Sequence, residues 1–428
     1  MLIGAAFLVL LVLGCPVAIA LCAAGLAGLF SIPDGGELVS AVPEQIFHSL
    51  NSFPFLTVPL FILAGVTMAE GGVAKRLMAV AEITVGRGRG GLGSAVVLST
   101  LFFHGISGSS TADTAAIAKV TLSNLRAQRY PLPFSTALLA SAGATATLIP
   151  PSIDLILIGV VANISIAGLF AAGIVPAVIN GLGLILYVIY ISRKRGYGTG
   201  GARLDLPEMA IAFVKAVPAL FMVVIILGGI LGGVFTPTEA SAVAVIYGFF
   251  VSMVVYRDLK VAMLPKVFME TVTISGIVLF VIAMSATVGY AMTISQAPQA
   301  VAAWLSTFAG NKILFLLMVQ IVFFAIGMFM DAVPALIILM PILVPVAAAQ
   351  GINPIHFGIL VEVNVALGMA HPPVGVCLYA ACAVARIPME RVVRPMLPMI
   401  AVLIFTMLVI TYDEHLSMWL PRLLGFDQ

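Results

Sequence analysis

His104-Gly105-Ile106-Ser107-Gly108-Ser109-Ser110-Thr111-Ala112-Asp113-Thr114 stands in the middle of an apolar block that runs from 91 to 125. The block is longer than the roughly 20 residues one helical crossing takes. Cut at its small, polar run, it becomes two half-length helices that enter and leave a bilayer on the same side. Non-helical backbone is tolerated at that depth only where protein buries it or a wet cavity reaches it, so the run reads as the tip of a re-entrant hairpin. A second block, 311–348, is broken in the same way between Gly327 and Pro334.

Composition supports a bilayer around these hairpins. Of 428 residues, 62% are hydrophobic and 9% charged, against about 45–50% and 25% in soluble domains. A formal charge of +2 from 20 Lys and Arg offers no basic face for nucleic acid, and the four cysteines, Cys15, Cys22, Cys377 and Cys382, all lie in apolar runs. Further apolar blocks fall near 1–30, 53–69, 134–162, 168–191, 216–256, 271–295, 355–384 and 395–412. The first begins without a basic leader and is read as part of the folded chain. Breaks at Gly14-Cys15-Pro16 and Phe235-Thr236-Pro237 divide the first and the 216–256 block into two helices each. Placing 70–90, 119–133, 192–215, 257–270 and 385–394 in the cytoplasm puts 18 of the 20 basic residues inside, as the positive-inside rule favours. Within this arrangement Gly72 to Gly90 reads as an amphipathic helix on the inner surface.

The chain also repeats itself. Of ten prolines up to residue 206, four meet another proline 222 residues on: Pro43/Pro265, Pro150/Pro372, Pro151/Pro373 and Pro176/Pro398. Chance gives roughly 0.6 such pairs. Gly105/Gly327 and Gln128/Gln350 share the spacing, and Pro16/Pro237, Pro131/Pro354 and Phe134/Phe357 drift from it by one. The expected fold is therefore all-α and integral to the membrane, with a first repeat over 1–210 and a second over 211–428. Each half makes about five crossings plus one hairpin. An odd number of crossings turns the second half upside down, so the topology is inverted and the two hairpin tips meet near the midplane.

The chemistry gathers where the spans break. A Pro-Pro pair inside an apolar helix removes two donors and frees carbonyls, at Gly143-Ala144-Thr145-Ala146-Thr147-Leu148-Ile149-Pro150-Pro151-Ser152 and again at Gly368-Met369-Ala370-His371-Pro372-Pro373. Carbonyls and hydroxyls are hard oxygen ligands suited to a small monovalent cation, and helix N-termini suit an anion. Small-residue runs also serve close helix packing, but two such runs on adjacent elements, repeated in the other half, favour a site. One cation site is expected from Gly105, Ser107, Ser109, Gly143, Thr145, Thr147 and Pro150. The other is expected from Gly327, Met328, Asp331, Gly368, Met369, His371 and Pro372. Ser110, Thr111, Asp113 and Ser152 are candidates for a substrate. Ionisable groups at membrane depth, Asp113, Asp154, Asp331 and Glu362, are functional candidates, with N-capping the alternative for Asp113 and Asp331. Glu239, after Thr236-Pro237-Thr238, reads as a first-turn residue. His104 and His371 border the two sites without a second ligand at metal spacing, so no transition metal is expected. There is no phosphate loop and no acid-base constellation, which argues against an enzyme.

The chain resembles the large membrane subunit of tripartite ATP-independent periplasmic (TRAP) transporters. The resemblance rests on Gly105-Ile-Ser-Gly-Ser-Ser-Thr-Ala-Asp113, Ile149-Pro-Pro-Ser152, Leu169-Phe-Ala-Ala-Gly-Ile-Val-Pro176, Phe235-Thr-Pro-Thr-Glu-Ala240, Asn353-Pro-Ile-His-Phe-Gly358 and Pro372-Pro-Val-Gly375, in order along the whole chain. It implies a sodium-driven importer of an organic acid such as a C4-dicarboxylate, a sialic acid or another sugar acid. It implies no cofactor beyond the coupling sodium ions, and an elevator in which a transport domain holding both hairpins slides against a scaffold. It also implies a small four-helix membrane subunit and a periplasmic substrate-binding protein as partners, in a bacterial inner membrane. The family commonly has Thr where this chain has His371, so a ligand there is expected to be a backbone carbonyl. A stand-alone carboxylate or ion carrier of related fold is the alternative, and a membrane-embedded enzyme a more distant one.

Overall fold

The computed structural model describes residues 2–32, 35–51, 53–86, 88–198, 206–296, 311–327, 332–372 and 375–426. Among these, every regular element is helical. The first half comprises α1 (Leu2–Val12), α2 (Val17–Phe30), the short α3 (Gly35–Leu38), α4 (Val42–Leu50), α5 (Thr57–Glu70), α6 (Val73–Val85), α7 (Gly91–Ser107), α8 (Ser110–Ala127), α9 (Leu132–Ala146), α10 (Ile153–Ala162) and α11 (Ile166–Arg195). The second comprises α12 (Leu206–Leu231), α13 (Pro237–Phe249, continued by a π-helical stretch to Val255), α14 (Leu264–Ile294), α15 (Lys312–Gly327), α16 (Ala332–Ala349), α17 (Pro354–Ala370), α18 (Val376–Ala385), α19 (Glu390–Tyr412) and α20 (Glu414–Leu423).

Among the described residues, seven helices are long and apolar enough to cross a membrane by themselves. The shorter apolar ones come in series, because the sequence breaks them at the expected places. Gly14 takes φ +79 between α1 and α2, a left-handed conformation that costs glycine little. Between α12 and α13, Pro237 opens the new helix behind a capping box, in which Thr236 and Glu239 satisfy each other's backbone N–H groups. Glu239 is thus the first-turn residue its sequence context suggests. The hairpins are α7–α8 and α15–α16, and the Pro-Pro breaks separate α9 from α10 and α17 from α18. Within the stretch Gly72 to Gly90, where an amphipathic helix is expected, the structure has α6, with Leu77, Met78, Val80 and Ala81 buried on one face.

The repeat is visible in the elements. Pro43 and Pro265 are each the second residue of their helix, α4 and α14, and Pro176 and Pro398 lie inside the mates α11 and α19. Packing between the halves is reciprocal. α2 packs on α14 as its mate α13 packs on α5; α8 packs on α18 as α16 packs on α10; α9 packs on α19 as α17 packs on α11. Exchange of partners in this way is what a two-fold relation between the halves produces.

Two groups of helices pack among themselves, α2, α5, α13 and α14 as one body and α7–α11 with α15–α19 as the other, while the largest apolar core takes residues from both. Where they meet, Val58, Ile62 and Val66 of α5 and Val267 and Ile282 of α14 join one apolar cluster with Ile153 and Leu157 of α10 and Val333 of α16. Inside the second body α15 and α17 come close at Gly368, where an added Cβ would meet Gly327 Cα at 2.6 Å and its carbonyl carbon at 2.7 Å. Both are backbone atoms and cannot swing aside. Gly368→Val is expected to destabilise the protein by more than the roughly 1–3 kcal/mol of ordinary overpacking, read as a fall of several degrees in the melting temperature of the detergent-solubilised protein. An unchanged melting temperature would show that α15 and α17 can separate at this point.

Candidate functional site

The first tip is built by glycine and serine. α7 ends at Ser107, Gly108 turns the chain at φ +67, and Ser109 in an extended conformation starts α8. The tip leans on its own half's Pro-Pro turn. Gly108 carbonyl accepts from Ile153 N–H at 3.4 Å, and a Cβ on Gly108 would meet Pro151 carbonyl at 3.0 Å. A Cβ on Gly105 would fall 3.4 Å from the carbonyl of Pro150. Gly105 and Pro150, both expected at the first cation site, thus lie side by side.

Beneath the tip sits a buried polar cluster. Asp113 Oδ2 is 2.6 Å from His104 Nδ1, its Oδ1 accepts the Ser107 hydroxyl, and the Ser107 oxygen accepts Ser109 N–H at 3.3 Å. All three side chains are buried. Asp113 lies in the first turn of α8, but its carboxylate is spent on this cluster; capping, the alternative for it, is not what it does.

Two connected cavities flank the tip. One, of about 190 Å³, is lined by Ser107, Ser109, Asp113, Gly65 of α5, and Glu70, Lys119 and Glu270 at its rim. The other, of about 420 Å³, is lined by Ser109, Ser110, Thr111, Asp154, Val333 and Met369. Ser109, Ala112, Ala115, Glu270 and Ile274 line both, which makes them one cleft. Its rim residues belong to helix ends that the distribution of basic residues places in the cytoplasm. Met369 brings the second Pro-Pro element to the first tip.

The remaining candidates fall as follows. An added Cβ at Gly143 would lie 1.8 Å from Thr114 Oγ1, so this glycine lets α8 and α9 touch. Thr145 and Thr147 hydroxyls donate to Ser141 and Ala144 carbonyls, and Thr145 borders a water-sized void with Asn180 and Val363 rather than the cleft. Ser152 is a cap: its Oγ accepts from Leu155 N–H at 3.5 Å. Thr111 is exposed, and Ser110 Oγ is buried without a hydrogen-bond partner among the described residues. His371 closes α17 by donating its N–H to Gly368 carbonyl, directs Nδ1 to Pro372 carbonyl, and meets the Phe324 ring edge-on at 4.8 Å. Met328 and Asp331 lie outside the described residues. Two participants were invisible in the sequence reading: His104 as the partner of Asp113, and Gly65, where an added Cβ would meet Ser107 Cα at 2.7 Å. No group of three metal-ligating side chains occurs among the described residues.

The model of the family described as "Tripartite ATP-independent periplasmic transporter, DctM component" matches residues 5–416. The chain belongs to the DctM family. This DctM chain is 37% identical to the C4-dicarboxylate TRAP transporter large permease protein DctM of Pseudomonas aeruginosa, covering 94% of each. It is 33% identical to the sialic acid TRAP transporter large permease protein SiaM of Vibrio cholerae, covering 98% of each. It is 38% identical to the isethionate TRAP transporter permease protein DctMQ of Oleidesulfovibrio alaskensis; that alignment takes in 96% of this chain and 65% of the relative, so the chain spans just under two thirds of that protein. The crystal structure of the Alcanivorax borkumensis YdaH transporter shares the fold, with a TM-score of 0.63 at 16% identity over 89% of this chain and 88% of that one. The DctM assignment makes the chain a multi-pass large permease component, and names of relatives describe permeases rather than enzymes.

Proposed function

We propose that this DctM chain imports an organic acid across a bacterial inner membrane, that sodium drives the import, and that both cargoes cross in the body holding the two hairpins. The observation that carries the reading is the shared cleft, onto which the first tip and Met369 of the second Pro-Pro element both open. Sodium is cargo here, and oxygens without protons suit it. Ser107 spends its proton on Asp113, and the buried carboxylate supplies the opposite charge. Carbonyls around Gly105 and Pro150 complete the first site; Gly327, Met328, Asp331, Gly368, Met369, His371 and Pro372 furnish the second, the last two through carbonyls.

The organic acid meets the start of α8. Helices leave their first N–H groups without intrahelical partners, and the Ser109 side chain does not cap α8. The N–H groups of Ser110, Thr111 and Ala112, residues that line the cleft, together with Ser110 Oγ, make a cradle for a carboxylate. The C4-dicarboxylate, sialic acid and isethionate named for the relatives all carry an acidic group, consistent with such a cradle. Sliding is supported by the aliphatic seam between the two bodies, which holds by non-directional contact. A periplasmic binding protein delivers the acid, in keeping with the family's name. A small membrane subunit completes the complex: the isethionate relative's name joins M and Q, and about a third of its length lies beyond this chain.

The test is sodium dependence. In proteoliposomes holding the complete complex, Ser107→Ala is expected to raise the sodium concentration for half-maximal uptake about tenfold, the loss of one charge-assisted oxygen contact. Unchanged sodium dependence would return Ser107 to a packing role.

A further inference from the structure

Nine positions separate His104 from Asp113, and the hairpin turn brings them together in full burial. Both carboxylate oxygens are engaged, Oδ2 by His104 Nδ1 and Oδ1 by Ser107. The other ring nitrogen of His104, Nε2, is buried with no hydrogen-bond partner among the described residues. This asymmetry assigns the tautomer. A proton on Nε2 would be a buried donor with nothing to receive it, at a cost of about 1–3 kcal/mol. With the proton on Nδ1, the ring donates to Asp113 and Nε2 keeps only a lone pair. Asp113 then accepts from both sides, and the sole proton of Ser107 is committed to it. The Ser107 oxygen already receives Ser109 N–H, so what it has left to offer the cavity it lines is a lone pair.

The pair is not repeated in sequence: at the 222-residue spacing, His104 and Asp113 are answered by Ile326 and Ala335. The pair is thus particular to the first half.

We propose that His104 is a positioning residue for the first cation site. It does not touch the ion. It holds the Asp113 carboxylate in the orientation that takes the Ser107 proton, and so turns Ser107 into a ligand that can only accept. This rests on the sodium reading given above.

The test uses the complete complex in proteoliposomes, with uptake measured against sodium and against substrate. His104→Leu, which removes the donor, is expected to raise the half-maximal sodium concentration about tenfold. The substrate KM at saturating sodium stays within about twofold, a split that a general packing defect would not produce. His104→Asn, whose amide can donate from near the Nδ1 position, recovers most of the sodium affinity. Asp113→Asn carries at least that sodium penalty, since it also removes the counter-charge, and adding His104→Leu to it costs nothing more, because the histidine acts through the carboxylate. An unchanged sodium requirement in His104→Leu overturns the proposal. So do penalties that add in the double variant, or equal losses of maximal rate alone in the Leu and Asn variants. If His104→Leu does not assemble, Asp113→Asn with wild-type sodium dependence overturns it instead. Failure of the sodium reading is distinct: it would be seen in the wild-type complex as uptake indifferent to sodium.

Discussion

Uptake is expected to fall to background when Gly65 is replaced by leucine, and by at least about tenfold when it is replaced by alanine, with both variants still assembling with their partners. The reason lies in one contact between the two bodies. α5 carries Gly65, and a Cβ there would stand 2.7 Å from Ser107 Cα and 2.8 Å from its carbonyl oxygen. These are backbone atoms of the hairpin tip, held from below by the Asp113 cluster, and neither has a rotamer to retreat into. Displacing them by even a few tenths of an ångström disturbs the oxygens proposed to bind sodium. Leucine excludes this docking of the tip altogether, and, on the proposed sliding mechanism, a barrier of about 3 kcal/mol or more on that step is over a hundredfold in rate. Initial rates in proteoliposomes, with gel filtration to check the complex, decide the matter. Wild-type uptake by Gly65→Leu would mean that the tip never docks where it is seen.

An effect as large is expected from leaving the partners out. This chain reconstituted alone should show no uptake above empty liposomes at micromolar substrate. The small membrane subunit and the binding protein together should restore it. The start of α8 offers backbone N–H groups and one free hydroxyl, chemistry that holds a carboxylate but distinguishes poorly among organic acids, so capture and selection are left to the soluble partner. Robust sodium-dependent uptake by the single chain would overturn the tripartite reading and favour a stand-alone carrier.

Much of the fold was legible because breaks in a membrane helix are costly and therefore conspicuous. The run from Gly105 to Thr114 placed the first hairpin, which spans α7 and α8, and the break between Gly327 and Pro334 placed its mate, α15 and α16. Pairing across a tip was not legible. His104 and Asp113 are nine residues apart, a distance that corresponds to no helical face, and only the turn at Gly108 brings them together. Gly65 was hidden for another reason: within Phe61-Ile-Leu-Ala-Gly-Val66 it reads as one more small residue in an ordinary apolar helix. The phase of side chains beside a break was equally out of reach. Thr145 and Thr147 stand in the expected segment, yet their hydroxyls bond their own helix, because the rotation at which a broken helix presents its last turn is set by its neighbours.

The exchanged packing of hairpin arms has a consequence for bookkeeping of ions. α8 leans on α18 and α16 leans on α10, so each half's tip is braced by the broken helix of the other. On the proposed elevator, neither half could traverse the bilayer by itself without unpacking both braces. Whatever occupies the two proposed half-sites would then be obliged to travel as one consignment, and a futile leak of a single ion would first have to pull the two halves apart.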